Sequence, residues 1–257
     1  MARNIVGTVV RGEDFYGRDS FVQQLWERLE TTNILLAAPR RFGKTSVMYN
    51  LYDFPKSGFK VIPFDLEPVT EPVDFVVTLL DKLRQDQKIM NILRKGGKTL
   101  RGIFQNVEIG IGALEDIDFK ISLKERIKKN WREIGAGVLK TLEGSEEKLL
   151  LIFDEFAIMI ENFLDDRLDA KEVREFFHWF RQVRISPSMT NCRFLIGSSI
   201  SIDHHLSKLG ITAALNDFEK MVLAEFEDSG VATSFVDILF DGVNINISKN
   251  SKQKFWN

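Results

Sequence analysis

Residues Leu149–Phe153 read Leu-Leu-Leu-Ile-Phe and run directly into Asp154 and Glu155. A short run with no polar alternate is a strand covered on both faces, which a sheet reaches only when helices lie on either side of it. The rest of the chain repeats the theme. Asn33–Ala38, Phe59–Leu66, Cys192–Ile196 and, more weakly, Met221–Leu223 are short apolar runs. Amphipathic stretches separate them, the pattern of an α/β domain on a parallel sheet.

The helices between the strands have readable starts. Ser20 with Gln23 three positions on predicts a capping box, followed by Phe21, Val22, Leu25, Trp26 and Leu29 on one face. Thr70 predicts the cap of a helix reaching about Arg84, and Asp169 the start of one carrying Val173, Phe176, Phe177, Phe180 and Val183. A final helix is expected near Gly230–Phe240. Between residues 88 and 124 the pattern changes. Val107, Ile109 and Ile111, then Ile117, Phe119, Ile121 and Leu123, alternate about Gly112–Asp116, which predicts an antiparallel hairpin inserted at the sheet edge. A helix over Glu125–Glu143 follows, and its basic run Lys124–Lys129 reads as a solvated face. The expected organisation is a core formed by residues 1–87 and 145–245, an insert over 88–144, and the start of a truncated C-terminal region over 246–257.

Composition excludes several classes. With 35 Lys and Arg against 37 Asp and Glu, the net charge of -2 provides no global field for nucleic acid. The single cysteine, Cys192, excludes an internal disulfide framework and fits a reducing, cytoplasmic compartment. No apolar run reaches the roughly 20 residues of a membrane-spanning helix, and the N-terminus lacks a secretory apolar core. The three histidines have no zinc-like spacing with cysteine.

The chemistry concentrates in Ala38–Ser46, Ala-Pro-Arg-Arg-Phe-Gly-Lys-Thr-Ser, between a strand and a helix. This fits the phosphate-loop pattern with Ala38 in place of its first glycine. The loop turns at Pro39, the backbone N–H groups of Arg40, Arg41 and Phe42 would face a polyphosphate, and Gly43 would let it approach. Lys44 would reach the β- and γ-phosphates, Thr45 would ligate Mg²⁺, and Ser46 would add a polar contact near the α-phosphate. Arg40 and Arg41 either neutralise phosphate charge, bridge to a neighbouring subunit or pair with surface acids. Two carboxylates at the end of a buried strand need a positive partner. In a phosphate-loop domain Asp154 would hold Mg²⁺ and Glu155 would polarise the attacking water. Ser198, and after it Ser199, would lie near the γ-phosphate or that water; a serine-rich turn is the alternative. Arg181 and Arg184 suit either an arginine finger acting in trans or the C-terminal dipole of their helix.

These segments together, with Gly-Glu-Asp-Phe-Tyr-Gly-Arg-Asp at residues 12–19, resemble the AAA+/STAND-type P-loop ATPases, and among them the archaeal-type and MNS-like ATPases of prokaryotes. The resemblance implies a three-layer core with a five-stranded parallel sheet, in which another strand separates the acidic strand from the phosphate-loop strand. It implies binding and hydrolysis of ATP with Mg²⁺, coupled to self-association or to another protein. It places Phe15, Tyr16 and Arg18 near the adenine. Such proteins normally continue into a helical lid or winged helix, and the sequence up to Asn257 contains neither, so a truncated form is expected. Two alternatives remain at this stage: a nucleotide-dependent switch with little hydrolysis, and a DNA-linked initiator or transposition-helper ATPase. The net acidity argues against DNA binding by this chain alone.

Overall fold

The computed structural model describes residues 8–95, 97, 102, 116–165, 168–199, 202–226 and 229–242. Five strands form one all-parallel sheet: β1 (Asn33–Ala37), β2 (Phe59–Asp65), β3 (Lys148–Asp154), β4 (Cys192–Ser198) and β5 (Phe218–Val222). Their order is β2-β3-β4-β1-β5. The acidic strand β3 and the loop-bearing strand β1 are therefore separated by β4, as the resemblance implied. Pro63 is tolerated in β2 because that strand lies at the sheet edge.

Strand alternation sends neighbouring side chains to opposite faces. On one face, Ile34, Leu36, Leu150, Ile152 and Leu195 pack under α1 (Asp19–Leu29) and α2 (Lys44–Asp53), which contribute Leu25, Trp26, Leu29, Val47, Met48 and Leu51. The other face is larger. Leu149, Leu151, Phe153, Phe194 and Ile196 belong to a cluster with α3 (Pro72–Arg84), α4 (Gln87–Arg94), α5 (Asp116–Ile127), α6 (Trp131–Leu142), α7 (Phe156–Asp165), α8 (Ala170–Arg184) and α9 (Ile202–Lys208). Phe75, Phe153, Phe176 and Phe180 form its aromatic centre, with ring centroids of successive contacts 5.3–6.0 Å apart. The last described helix is α10 (Ser229–Gly242). No helix among the described residues is long and apolar enough to cross a membrane.

Several local expectations are corrected. The second arm of the predicted hairpin is helix α5. Phe119, Leu123 and Ile127 repeat every four residues and are buried, whereas Ile121, which an alternating strand would bury with them, is 59% exposed. The same apolar residues satisfy both periods, and packing against α3 decides for the helix. Lys120 reinforces that choice by pairing with Asp81 at 3.2 Å, and Lys124 by pairing with Asp74 at 2.7 Å and Glu71 at 3.4 Å. Lys124 is thus structural rather than a free solvated cation. The first arm, Val107, Ile109 and Ile111, lies outside the described residues. The helix expected over Glu125–Glu143 is broken by a turn at Lys128–Asn130.

The start of α1 also differs. It begins at Asp19 behind Arg18, with no side-chain cap, and Gln23 bonds Glu27 instead. Thr70 lies one residue before the cap of α3; its hydroxyl and the Glu71 N–H both donate to Asp74, at 3.2 and 3.1 Å. The Asp169 cap is present, accepting from Glu172 N at 2.8 Å. Strand β5 spans Phe218–Val222 rather than Met221–Leu223.

Candidate functional site

Strand β1 delivers the chain to a loop at the carboxyl edge of the sheet, where open parallel sheets place their ligand sites. Ala38 N donates to Ser198 O at 3.3 Å, and Phe42 N to Pro39 O at 3.4 Å, which closes the turn. Arg41 and Gly43 have φ of +69° and +87°. At Gly43 a Cβ would meet no atom within 4 Å, so the left-handed backbone, not crowding, requires glycine there. Ala38 is different: the only non-glycine residues with positive φ among those described are Arg41 and Glu155. Alanine therefore meets no left-handed requirement where the motif usually has glycine. Helix α2 starts at Lys44, and its first turn leaves backbone N–H groups without intrahelical acceptors.

The acidic strand end meets this turn. Thr45 Oγ1 donates to Asp154 Oδ2 at 2.7 Å, and Glu155 N donates to Asp154 Oδ1 at 2.9 Å. Lys44 Nζ lies 3.7 Å from Asp154 Oδ1 and 4.0 Å from Glu155 Oε2. Parallel register explains the meeting: Ile196 of β4 pairs with both Phe153 of β3 and Leu35 of β1, so the three strand ends lie level. Glu155 has φ of +53°, a strained backbone for a non-glycine residue. Partial burial pushes its carboxyl above the ordinary range; Asp154 and Glu67 push the same way, while Lys44 and Arg40 oppose them. Hard oxygen donors Thr45 Oγ1 and Asp154 side by side are the ligand chemistry that Mg²⁺ takes, so the residues present fit that ion.

Beside the loop lies a cavity of about 580 Å³. Arg41, Phe42 and Gly43 of the loop before α2, with Ser46 of α2, form one wall. Val10, Asp14, Phe15, Tyr16 and Arg18 form a second wall, and Glu225, Phe226, Phe235 and Leu239 a third. The last two walls hold one another. Tyr16 stacks on Phe235 at 5.9 Å, and the Arg18 guanidinium lies 4.4 Å from the Phe226 ring centre and donates to Glu225 O at 3.4 Å. Ser46 Oγ accepts from Val10 N at 3.1 Å, tying the N-terminal wall to α2.

The structure thus brings together Lys44, Thr45, Asp154 and Glu155, and sets Phe15, Tyr16, Arg18, Phe42 and Ser46 around the adjoining cavity. Arg40 and Arg41 are exposed on the loop. Ser198 makes no side-chain hydrogen bond to the charged cluster. Alternation places it on the sheet face of Phe194 and Ile196, away from α2; it is fully buried and its hydroxyl has no partner. Arg184 is committed elsewhere, to Asp217. The third cavity wall, Phe226, Phe235 and Leu239, was missed from sequence. Its residues sit about 200 positions from Tyr16, and the only available signal was the apolar character of the last helix.

No protein-family model matches the chain, and no curated protein matches it. Among solved structures it is similar to a Walker-type ATPase of Pyrococcus abyssi, with a TM-score of 0.60 and 17% identity over 97% of this chain and 65% of that one. It also aligns with the ORC2 protein of Aeropyrum pernix, solved in ADPNP–ADP complexes, with a TM-score of 0.49 and 13% identity over 93% of this chain and 55% of that one. The chain therefore spans just under two thirds of the length of the first and about half that of the second. The five-stranded all-parallel sheet, its helical layers and the first of these likenesses establish that this chain has the three-layer α/β fold of that Walker-type ATPase.

Proposed function

We propose that the chain binds ATP with Mg²⁺, hydrolyses its β–γ phosphoanhydride bond, and couples nucleotide state to contact with a partner protein or a second copy of itself. One observation carries this reading: Lys44, Thr45, Asp154 and Glu155, brought from two separate strand ends, form one contact group beside a cavity large enough for a nucleoside. The main-chain N–H groups of Arg40, Arg41 and Gly43–Thr45 and the Lys44 ammonium bind the phosphates and stabilise charge on the transferring phosphoryl group. Thr45 Oγ1 and Asp154 are the residues that would hold Mg²⁺, which when bound neutralises phosphate charge. Glu155 accepts a proton from water as the water oxygen bonds to the γ-phosphorus; the β–γ bridging bond breaks and ADP leaves. Its raised carboxyl pKa makes it a stronger base than an ordinary glutamate. The aromatic cavity beside Tyr16 and Phe42 receives the base.

Phosphate release measured on the wild type and two variants tests this. Glu155→Gln should bind nucleotide and lose turnover by about a hundredfold or more, the range of a general base. Lys44→Ala should lose nucleotide affinity. Undiminished turnover in Glu155→Gln would remove Glu155 from the role of base.

A further inference from the structure

Gly197 occupies a position where strand geometry alone does not ask for glycine. It lies inside β4, its φ is not left-handed, and a glycine weakens a strand interior. The register explains its presence. Phe153 pairs with Ile196, so the next residues, Asp154 and Gly197, lie side by side, with Leu36 of β1 on the other flank of Gly197. Alternation aims the missing side chain at α2. A Cβ there would overlap Met48 Cε and stand 2.8 Å from Asp154 Oδ1 and 3.0 Å from Met48 Sδ. The Met48 side chain is the end of a flexible chain and can move aside. Asp154 has less freedom: Oδ1 accepts from Glu155 N, Oδ2 accepts from Thr45 Oγ1, and Lys44 lies on the Oδ1 side. Turning the carboxylate away from a new methyl group breaks at least one of these contacts.

We infer that Gly197 is a positioning residue: by having no side chain, it leaves the slot in which the Asp154 carboxylate is held against Thr45 and Lys44. This rests on the reading of Asp154 as the residue that holds Mg²⁺. Nucleotide binding without metal should be kept, because the loop amides and the lining of the aromatic cavity act independently of the Asp154 carboxylate. The role therefore separates into a metal-dependent and a metal-independent part.

The test is calorimetric titration of the full chain with a non-hydrolysable ATP analogue, with and without Mg²⁺, on the wild type, Gly197→Ala, Met48→Ala and the double variant. In the wild type Mg²⁺ tightens binding. In Gly197→Ala that gain falls by about tenfold or more, as when a supporting residue of a metal ligand is changed, while affinity in EDTA is kept. Met48→Ala alone keeps the gain. The double variant recovers thermal stability, because the clash with Met48 is gone, but does not recover the Mg²⁺ gain. A wild-type Mg²⁺ gain in Gly197→Ala, or its return in the double variant, overturns the proposal. So does failure of both glycine variants to fold, which would assign Gly197 to packing alone. A wild type that binds no nucleotide would refute the underlying reading, and that arm is distinct from all of these.

Discussion

Arg184 separates a structural from a catalytic arginine. Its side chain is fully buried at the end of α8. Nε donates to Asp217 Oδ2 at 2.9 Å, and Nη2 donates to Asp217 Oδ1 at 3.0 Å and to Ala214 O at 2.7 Å. The guanidinium also lies 4.0 Å from the Phe180 ring centre and 4.8 Å from that of Phe218. It therefore locks α8 to the turn that begins β5. Arg184→Ala strands the Asp217 carboxylate and the Ala214 carbonyl and opens a gap between two rings. Removing one member of a buried pair costs about 3–5 kcal/mol. Asp217 retains 16% side-chain exposure and can turn partly to water, so the lower end, about 3 kcal/mol, is expected. With a urea slope of about 3 kcal/mol per molar, the unfolding midpoint falls by about 1 M. The double variant Arg184→Met, Asp217→Leu should recover most of that loss, since no charge is left buried. Nucleotide affinity of the folded Arg184→Ala protein should match the wild type. A cost below about 1 kcal/mol, with turnover lost instead, would refute the structural assignment and return Arg184 to the role of a finger.

Three further outcomes follow from the same physics. Glu155→Gln should stabilise the nucleotide-free protein at neutral pH by less than about 1 kcal/mol, because water screens a half-exposed carboxylate. The sign follows from its raised folded-state pKa: ionised Glu155 costs stability above that pKa, so the gain should disappear as pH falls below the ordinary carboxylate range, read by melting temperature against pH. Glu143→Ala should destabilise by about 2 kcal/mol, since its carboxylate accepts the N–H groups of Thr190, Asn191 and Cys192 at 2.7, 2.7 and 2.9 Å and fixes the entry to β4; urea titration reads this, and a cost near zero would deny it. Tyr16→Ala together with Phe235→Ala should weaken binding of the intact nucleotide more than that of inorganic triphosphate, measured by competition, because these rings wall only the cavity.

The parts of the fold that were legible in the sequence were those set by local pattern. Unbroken apolar runs marked β1, β3 and β4, and the loop between β1 and α2 was readable because each residue type answers a local demand. The carboxylates of Asp154 and Glu155 stood out because charge at a buried strand end needs a partner. What was not legible depended on distant packing. Residues 117–123 satisfy strand and helix periods alike, and only the surface of α3 chooses between them. The wall formed by Phe226 and Phe235 closes on Tyr16 from the far end of the chain. Ser198 and Gly197 are adjacent, and which of them faces Asp154 is decided by register with β3, which the run of serines conceals.

The most direct test is a crystal structure of the chain with Mg²⁺ and a non-hydrolysable ATP analogue. The account predicts phosphates seated on the main-chain N–H groups of Arg40, Arg41 and Gly43–Thr45, the ion between Thr45 and Asp154, and the base between the walls of Tyr16 and Phe42. A nucleotide bound elsewhere, or that turn bare in crystals saturated with ligand, would contradict it.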